Sequence, residues 1–147
     1  MALVAAAAPP VRCETASLPC ILWVDDDPNV AAGLRRLMRR YQVRLIHAYD
    51  GMQGYWMAAS QRPDVVITDL EMPKWPGMDL VECVNMNDDL RGVPLIVISG
   101  YDTPADRRRL AELGVTAVLS KPFVLEQLMF ILRQHVPMVR RRRRQRG

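Results

Sequence analysis

The segment ILWVDDDPNV, residues 21–30, joins an apolar run to three consecutive aspartates and a proline. Its first four residues are all apolar, which is typical of a parallel strand buried on both faces of a sheet. Asp25, Asp26 and Asp27 would follow the carboxyl end of that strand, where like charges repel one another. The segment therefore predicts a buried strand that ends in a polar site.

The rest of the chain repeats this pattern of apolar runs separated by helical segments. Further strands are predicted at residues 65–68, 95–99 and 116–120, and residues 43–49 alternate like an edge strand. Segments with helical spacing cover residues 29–41, 52–60, 78–87, 103–114 and 123–136. Regular alternation predicts an α/β fold, a doubly wound (βα)5 three-layer sandwich with a parallel five-stranded sheet in the order 2-1-3-4-5. Ligands of such sheets bind beyond the carboxyl ends of the strands.

Helix-end signals support this division of the chain. Asp27 is predicted to cap the first helix, with Pro28 at the first helical position and the Asp27 carboxylate aimed at the amide of Val30. Thr103 is a candidate N-cap of the fourth helix, and Gly114 is a candidate C-terminal stop.

Net charge divides the chain into two unlike parts. The formal charge of +4 rests on six arginines, Arg140–Arg144 and Arg146; removing them from the 20 basic residues leaves 14 against 16 acidic residues. We predict a disordered lead-in at 1–19, a folded domain at 20–136 and a basic tail or linker start at 137–147. The tail is too short for a DNA-binding output domain. It is either solvated or binds nucleic acid or anionic lipid electrostatically.

Cysteine usage favours a reducing, cytoplasmic location. Cys13, Cys20 and Cys83 have no CxxC spacing, and only two histidines accompany them, so a zinc site or disulfide framework is not expected. No apolar run approaches the roughly 18 residues of a membrane span, and the start lacks the positive region of a signal peptide. His47 and His135 are interpreted as bystanders, and Trp23 and Trp56 as packing residues.

Polar residues follow four of the predicted strands: Asp25 and Asp26, then Asp69, Ser99 and Lys121. Three close carboxylates cannot all stay ionised without a cation, and oxygen ligands suit Mg²⁺. A carboxylate beside Mg²⁺ and a lysine can attack a phosphoryl donor, because both cations neutralise charge on the transferred oxygens. The set predicts metal-dependent phosphoryl transfer.

These residues lie in the motifs VDDD (24–27), DLEMPKWPGMDL (69–80), ISG (98–100) and KPF (121–123). Because these motifs occur in this order and at this spacing, the chain resembles the receiver domain of bacterial two-component response regulators, including chemotaxis regulators. The resemblance implies a flavodoxin-like fold and a signalling domain that accepts a phosphoryl group from a histidine kinase or a phosphotransfer protein, rather than a turnover enzyme.

The resemblance also implies a role for each site residue. Asp69 resembles the phospho-acceptor, Asp26 the direct metal carboxylate and Asp25 its partner. The backbone carbonyl of Glu71 would be another ligand of Mg²⁺, or of Mn²⁺ in its place. Ser99 resembles the switch hydroxyl.

On the fifth strand the resemblance is partial. Lys121 resembles the phosphate-contacting lysine, and the Lys121–Pro122 bond would be cis. Receiver domains often have an aromatic switch residue three positions before that lysine, where this chain has Val118. The alternative is therefore an interaction module that keeps the fold without switching. A third hypothesis is a phosphatase or phosphotransferase for small substrates, in which Glu71 would have to serve as general acid.

The last predicted helix, residues 123–136, is apolar almost all round. It is either a core helix with an apolar outer side or part of a homodimer or partner face made by the fourth helix, fifth strand and fifth helix.

Overall fold

The computed structural model describes residues 18–143 and shows an α/β sandwich. Its strands are β1 (Cys20–Val24), β2 (Arg44–Ala48), β3 (Val65–Asp69), β4 (Leu95–Ser99) and β5 (Ala117–Ser120). Its helices are α1 (Pro28–Met38), α2 (Gly51–Gln61), α3 (Gly77–Met86), α4 (Pro104–Glu112) and α5 (Leu125–His135), with a short 3-10 helix at Asp88–Leu90. The strands form one parallel sheet in the order β2-β1-β3-β4-β5, which confirms the predicted fold and topology. The 3-10 helix was not predicted.

Two apolar cores cover the two faces of the sheet, because alternate residues of a strand point to opposite sides. Strand residues such as Ile21 and Ile67 pack with α1 and α5 on one side. Leu22 and Val66 pack with α2, α3 and α4 on the other. The strands β1, β3 and β4 are buried along their whole length, which explains their continuously apolar sequences. The strand β2 begins exposed, as expected for a strand at the edge.

The predicted helix caps are present, with one correction. Asp27 caps α1, but its carboxylate accepts from the amide of Asn29 at 2.9 Å and not from that of Val30. Asp27 has an extended backbone and Pro28 is the first helical residue. Pro28 has no N–H group, and the Asp27 carboxylate accepts from the N–H of the second helical residue, Asn29. Thr103 caps α4, and Gly114 follows it with a φ of +75°.

The chain after α5 turns back onto the connection between α1 and β2. Val139 accepts a hydrogen bond from the amide of Gln42 at 2.7 Å, and the Arg141 amide donates to Arg40 at 2.8 Å. The predicted domain boundaries stay predictions. Residues 1–17, which include most of the predicted lead-in and Cys13, and residues 144–147 of the predicted tail lie outside the described residues.

Exposure corrects one packing prediction and refines another. Trp23 is buried as predicted, but Trp56 is 66% exposed on α2, so its assignment as a packing residue is wrong. The helix α5 buries Leu128 and Leu132 in the core and exposes Phe130 on its outer side, and the predicted partner face stays a prediction. Within residues 18–143, no helix is both long and apolar enough to cross a bilayer.

Candidate functional site

Backbone hydrogen bonds between neighbouring strands continue past the strand ends and hold the polar residues at one edge of the sheet. The Asp25 amide donates to Ala48 at 3.0 Å, next to the β1–β2 pairing. The Lys121 amide donates to Ser99 at 2.8 Å, next to the β4–β5 pairing. Asp69 is the last residue of β3, between these two pairs. The structure thus brings Asp25, Asp69, Ser99 and Lys121 to one edge, as the sequence predicted.

Asp69 is buried, and both oxygens of its carboxylate have a hydrogen-bond donor. Its Oδ1 accepts from the amide of Glu71 at 2.9 Å, and its Oδ2 accepts from the Lys121 ammonium at 2.6 Å. Burial alone would lower the pKa of Lys121, but its hydrogen bond to Asp69 and the surrounding carboxylate charges raise that pKa above the ordinary value. Lys121 is therefore a cation whose charge is directed at the Asp69 carboxylate.

A tight turn after β3 fixes the position of this carboxylate. The chain returns so closely at Gly77 that a β-carbon there would lie 2.1 Å from the carbonyl oxygen of Asp69. Only glycine fits such an approach. The preceding Trp75 packs its ring against Gly51 at the start of α2, which anchors the loop over the site.

Asp25 is the second buried carboxylate of the site. It is 3% exposed, and its Oδ1 accepts from the amide of Asp27 at 2.8 Å. Burial raises the pKa of Asp25 above the ordinary value, and the negative charges of Asp69 and Asp26 act in the same direction. Asp26 itself is exposed and lines a shallow cavity of about 290 Å³ together with Asp50.

The donor chemistry at this edge fits a hard divalent cation. Asp25 and Asp69 are close enough to raise the pKa of Asp25, and Lys121 is the one ammonium beside them, so negative charge remains in excess. Carboxylate oxygens suit Mg²⁺. Among residues 18–143, however, no three side chains of the histidine, cysteine, aspartate or glutamate type form a ready-made metal-binding group. The metal roles of Asp25, Asp26, Asp69 and Glu71 therefore stay predictions.

The loop after β4 contacts the loop after β3 through a side chain that the sequence reasoning did not use. In a receiver domain Glu71 was predicted to act through its backbone carbonyl, and its Oε1 is found to accept from the amide of Gly100 at 3.0 Å. Ser99, beside Gly100, is fully buried, and its hydroxyl accepts from the amide of Tyr101 at 3.3 Å. The sequence signal for the contact between Glu71 and Gly100 was the small size of the residue after Ser99.

His47 is not the bystander that the sequence suggested. It is buried on β2, and its Nε2 lies 2.8 Å from the backbone carbonyl oxygen of Asp25. Burial lowers the pKa of the ring, which favours a neutral ring that donates from Nε2. The ring also makes an edge contact with Tyr49, at 4.3 Å between centroids. His47 thus supports the backbone of Asp25. The sequence signal for this role was the position of His47 on the apolar side of the alternating strand.

Comparison with known proteins agrees with this geometry. A model described as the response regulator receiver domain matches residues 21–133. The chain belongs to the response regulator receiver domain family. It is 35% identical over 115 residues to response regulator MprA of Mycobacterium avium (strain 104), which covers 77% of this chain and 49% of MprA. The chain spans about half the length of the curated relatives it matches.

Solved receiver structures match the fold closely. Chemotaxis protein CheY4 of Vibrio cholerae superposes with a TM-score of 0.74 at 25% identity, over 82% of this chain and all of CheY4. The receiver domain of sensor histidine kinase PA1611 from Pseudomonas aeruginosa PAO1 gives a TM-score of 0.72 at 26% identity, over 82% of this chain and 99% of that chain. That structure has a magnesium ion coordinated in its active site cleft.

The position where receiver domains often have an aromatic switch residue holds Val118 in this chain. Val118 is half-buried and packs against the core shared with α4, while Tyr101 is 86% exposed. Arg107 of α4 donates to the Ser120 hydroxyl at 2.9 Å and pairs with Asp102. A polar bridge therefore connects α4 to the residue just before the site lysine. The Lys121–Pro122 bond is cis, as predicted.

Proposed function

We propose that this receiver accepts a phosphoryl group on Asp69 from the phosphohistidine of a histidine kinase or a phosphotransfer protein. The observation that carries the proposal is the buried Asp69 carboxylate, which is oriented by the Glu71 amide and the Lys121 ammonium. One Asp69 oxygen attacks phosphorus while the bond from phosphorus to the histidine nitrogen breaks, and that nitrogen keeps the electron pair. Water later hydrolyses the acyl phosphate and regenerates the carboxylate.

The other residues of the site would neutralise and orient charge. Lys121 lies where it can pair with a phosphoryl oxygen once Asp69 is modified. Asp25, Asp26, Asp69 and the Glu71 carbonyl would hold Mg²⁺, or Mn²⁺. The metal, when bound, supplies positive charge that lets an anionic phosphoryl group approach an anionic carboxylate. The magnesium in the PA1611 receiver domain supports this proposal.

The product would act through protein contacts and not through turnover of a substrate. We propose that the Ser99 hydroxyl moves to the phosphoryl group and that the β4–α4 loop follows, which changes the face formed by α4, β5 and α5. That face would bind the downstream partner or a second copy of the chain, and its exposed Phe130 supports this role. The free thiols of Cys20 and Cys83 support a cytoplasmic location.

Phosphorylation in solution tests the proposal. The protein is incubated with Mg²⁺ and acetyl phosphate, and intact mass is measured beside Asp69→Ala. We expect wild type to gain the mass of one phosphoryl group and the variant to gain none. A beryllium fluoride mimic should change the emission of wild type but not of Trp75→Phe. Absence of both the mass gain and the emission change would show that Asp69 is not an acceptor.

The non-switching alternative rests on Val118 alone, and family membership does not favour it. It predicts phosphorylation of Asp69 without any change in oligomeric state or in the hydrogen exchange of α4. A phosphatase would instead turn over free phosphoesters, and the rate of phosphate release measures this directly.

A further inference from the structure

Six arginines from two segments line one concave cleft at the end of the sheet opposite Asp69. Arg39 and Arg40 come from the end of α1, and residues 140–143 come from the chain after α5. The cleft has a volume of about 480 Å³. It lies beside the beginning of β2 and therefore at the amino ends of the parallel strands, whereas Asp69 lies at their carboxyl ends. We call these six residues the arginine cleft.

The backbone of the returning chain holds this cleft together. Arg140 pairs with Tyr41 in an antiparallel bridge, and the amide of Arg141 donates to Arg40 at 2.8 Å. The Arg141 side chain donates from Nε to the carbonyl of Tyr41 at 2.9 Å. Val136, which is 1% exposed, anchors in the core the chain that leads to Arg140. The arginine run is thus docked against a second group of arginines, and the two together make a two-sided site.

Carboxylates of residues 18–143 do not balance the positive charge in the cleft. Within residues 18–143, none of the six arginines forms an ion pair with a carboxylate, and all six are exposed. The negative end of the α1 helix dipole offsets a small part of this charge. The adjoining depression shares Arg39 and Arg141 with the cleft and adds Arg35, so the positive surface continues along the edge of β2. Such a surface attracts polyanions.

We propose that the arginine cleft binds the sugar-phosphate backbone of nucleic acid without sequence preference. Guanidinium groups pair with phosphate oxygens in a forked geometry. Among the residues that the structure describes, the lining of the cleft includes no amide or carboxylate side chain to read base edges and no aromatic ring on which a base could stack. The arginine run continues in the sequence through Arg144 and Arg146. Guanidinium groups that line both sides of a concave cleft and continue into the adjoining depression suit an extended nucleic-acid backbone better than a flat membrane or a compact anion.

Fluorescence anisotropy with the full chain tests this site. The probes are two labelled DNA duplexes of about 20 base pairs and unrelated sequence, titrated between about 50 and 200 mM salt. We expect equal affinity for both duplexes. If all six arginines contact phosphates, log Kd should change with log salt with a slope of about 5.

Three double variants separate the cleft from general basicity. Arg39→Gln/Arg40→Gln removes the helix side, and Arg142→Gln/Arg143→Gln removes the tail side. Arg108→Gln/Arg133→Gln removes the same charge from exposed arginines elsewhere on the surface. Each cleft variant should weaken binding at least about ten-fold at low salt and reduce the salt slope by about 1.8. The control should change affinity by less than about three-fold, and circular dichroism verifies that every variant is folded.

Five results would overturn the proposal. Wild type could fail to bind either duplex, or could prefer one sequence strongly. The helix-side variant could behave like the control, which would show that the tail binds alone and that no cleft exists. ATP could displace the duplex at equal phosphate concentration, which would identify a compact anion as the ligand. Anionic phosphatidylglycerol vesicles could bind more tightly than the duplexes, which would identify a membrane as the target.

Discussion

The ammonium group of Lys121 donates a hydrogen bond to Oδ2 of Asp69 across 2.6 Å. Asp69 is the last residue of β3, Lys121 directly follows β5, and the two are 52 positions apart in the chain. The contact holds a positive charge against one oxygen of the Asp69 carboxylate. In the proposed transfer, the same ammonium would lie beside the oxygen atoms of the incoming phosphoryl group. One side chain would then serve both the resting carboxylate and the transfer step.

Replacing Lys121 with methionine should slow phosphorylation and strengthen metal binding. The loss of one charged donor at a phosphoryl-transfer site should reduce the rate with acetyl phosphate by about 100-fold. Mg²⁺ affinity should rise, since the ammonium no longer competes for the Asp69 carboxylate. Intact mass against time measures the first effect, and calorimetric titration with Mg²⁺ measures the second.

Lys74→Met is the matched control, because Lys74 is the other lysine of the chain and lies in the exposed loop after β3. It has no hydrogen bond to Asp69, whose Oδ2 accepts from Lys121. A rate loss of equal size in both variants would mean that general positive charge, and not the direct contact, assists the transfer.

Asp25→Asn should remove metal binding and stabilise the metal-free protein at neutral pH. The pKa of Asp25 is raised by burial, so the folded state binds more protons than the unfolded state above the ordinary value of 3.8. The contribution of Asp25 to the free energy of unfolding therefore falls as pH rises from about 4 through the raised pKa. Asparagine does not ionise, so the variant does not lose this free energy. Urea unfolding in EDTA at several pH values measures the difference, which should grow towards neutral pH.

Mg²⁺ should make wild type more stable to unfolding than Asp25→Asn, which is the reverse of their order without metal. At about 100 times Kd, a ligand that binds only the folded state stabilises it by about 2.7 kcal/mol. Wild type should gain this free energy of unfolding, and Asp25→Asn should gain none. Equal stabilisation of both proteins by Mg²⁺ would remove Asp25 from the metal site.

Sequence patterns predicted the fold and the convergence of Asp25, Asp69, Ser99 and Lys121 because these depend on burial and on strand order. Continuously apolar runs appear where both faces of a strand are covered, and parallel strands bring their carboxyl ends to one edge. The direction of a side chain within that edge depends on three-dimensional packing. The contact from the Glu71 carboxylate to Gly100 was therefore missed.

The same limit explains the error on His47 and the unpredicted contact between the chain after α5 and the end of α1. A lone histidine on an edge strand is ambiguous in sequence, and its role follows from the 2.8 Å contact with Asp25 across two strands. A run of arginines resembles a solvated tail, and only the bridge from Arg140 to Tyr41 shows where it docks.

Glu71→Ala should loosen the loop after β4 without abolishing metal binding. The variant removes the carboxylate that accepts from the Gly100 amide but keeps the backbone carbonyl predicted to contact the metal. Hydrogen exchange at Gly100 should become faster by about ten-fold, which corresponds to the loss of about 1.4 kcal/mol of local protection. Glu126→Ala, an exposed residue on α5, is the control and should leave this amide unchanged.

Arg107→Gln should weaken communication from the site to α4 at little cost in stability. The side chain is about half exposed, so its ion pair with Asp102 contributes no more than about 1 kcal/mol to the free energy of unfolding. Its bond to Ser120 should nonetheless link the site lysine to α4. With beryllium fluoride, hydrogen exchange in α4 should change in wild type and change less in the variant. An identical response would show that the bridge has no coupling role.

The three adjacent aspartates should respond to mutation in different ways, because only Asp27 caps a helix. Asp27→Ala removes the bond to the Asn29 amide and should cost about 1 kcal/mol of unfolding free energy, with Mg²⁺ affinity nearly unchanged. Asp27→Ser should recover most of this loss, since serine is an equally good N-cap. Asp26→Ala removes an exposed carboxylate that repels Asp25, so the metal-free protein should be no less stable, while Mg²⁺ binding should be lost. Urea unfolding and Mg²⁺ titration of the three variants measure both quantities, and similar losses of metal affinity in Asp26→Ala and Asp27→Ala would contradict the assignment.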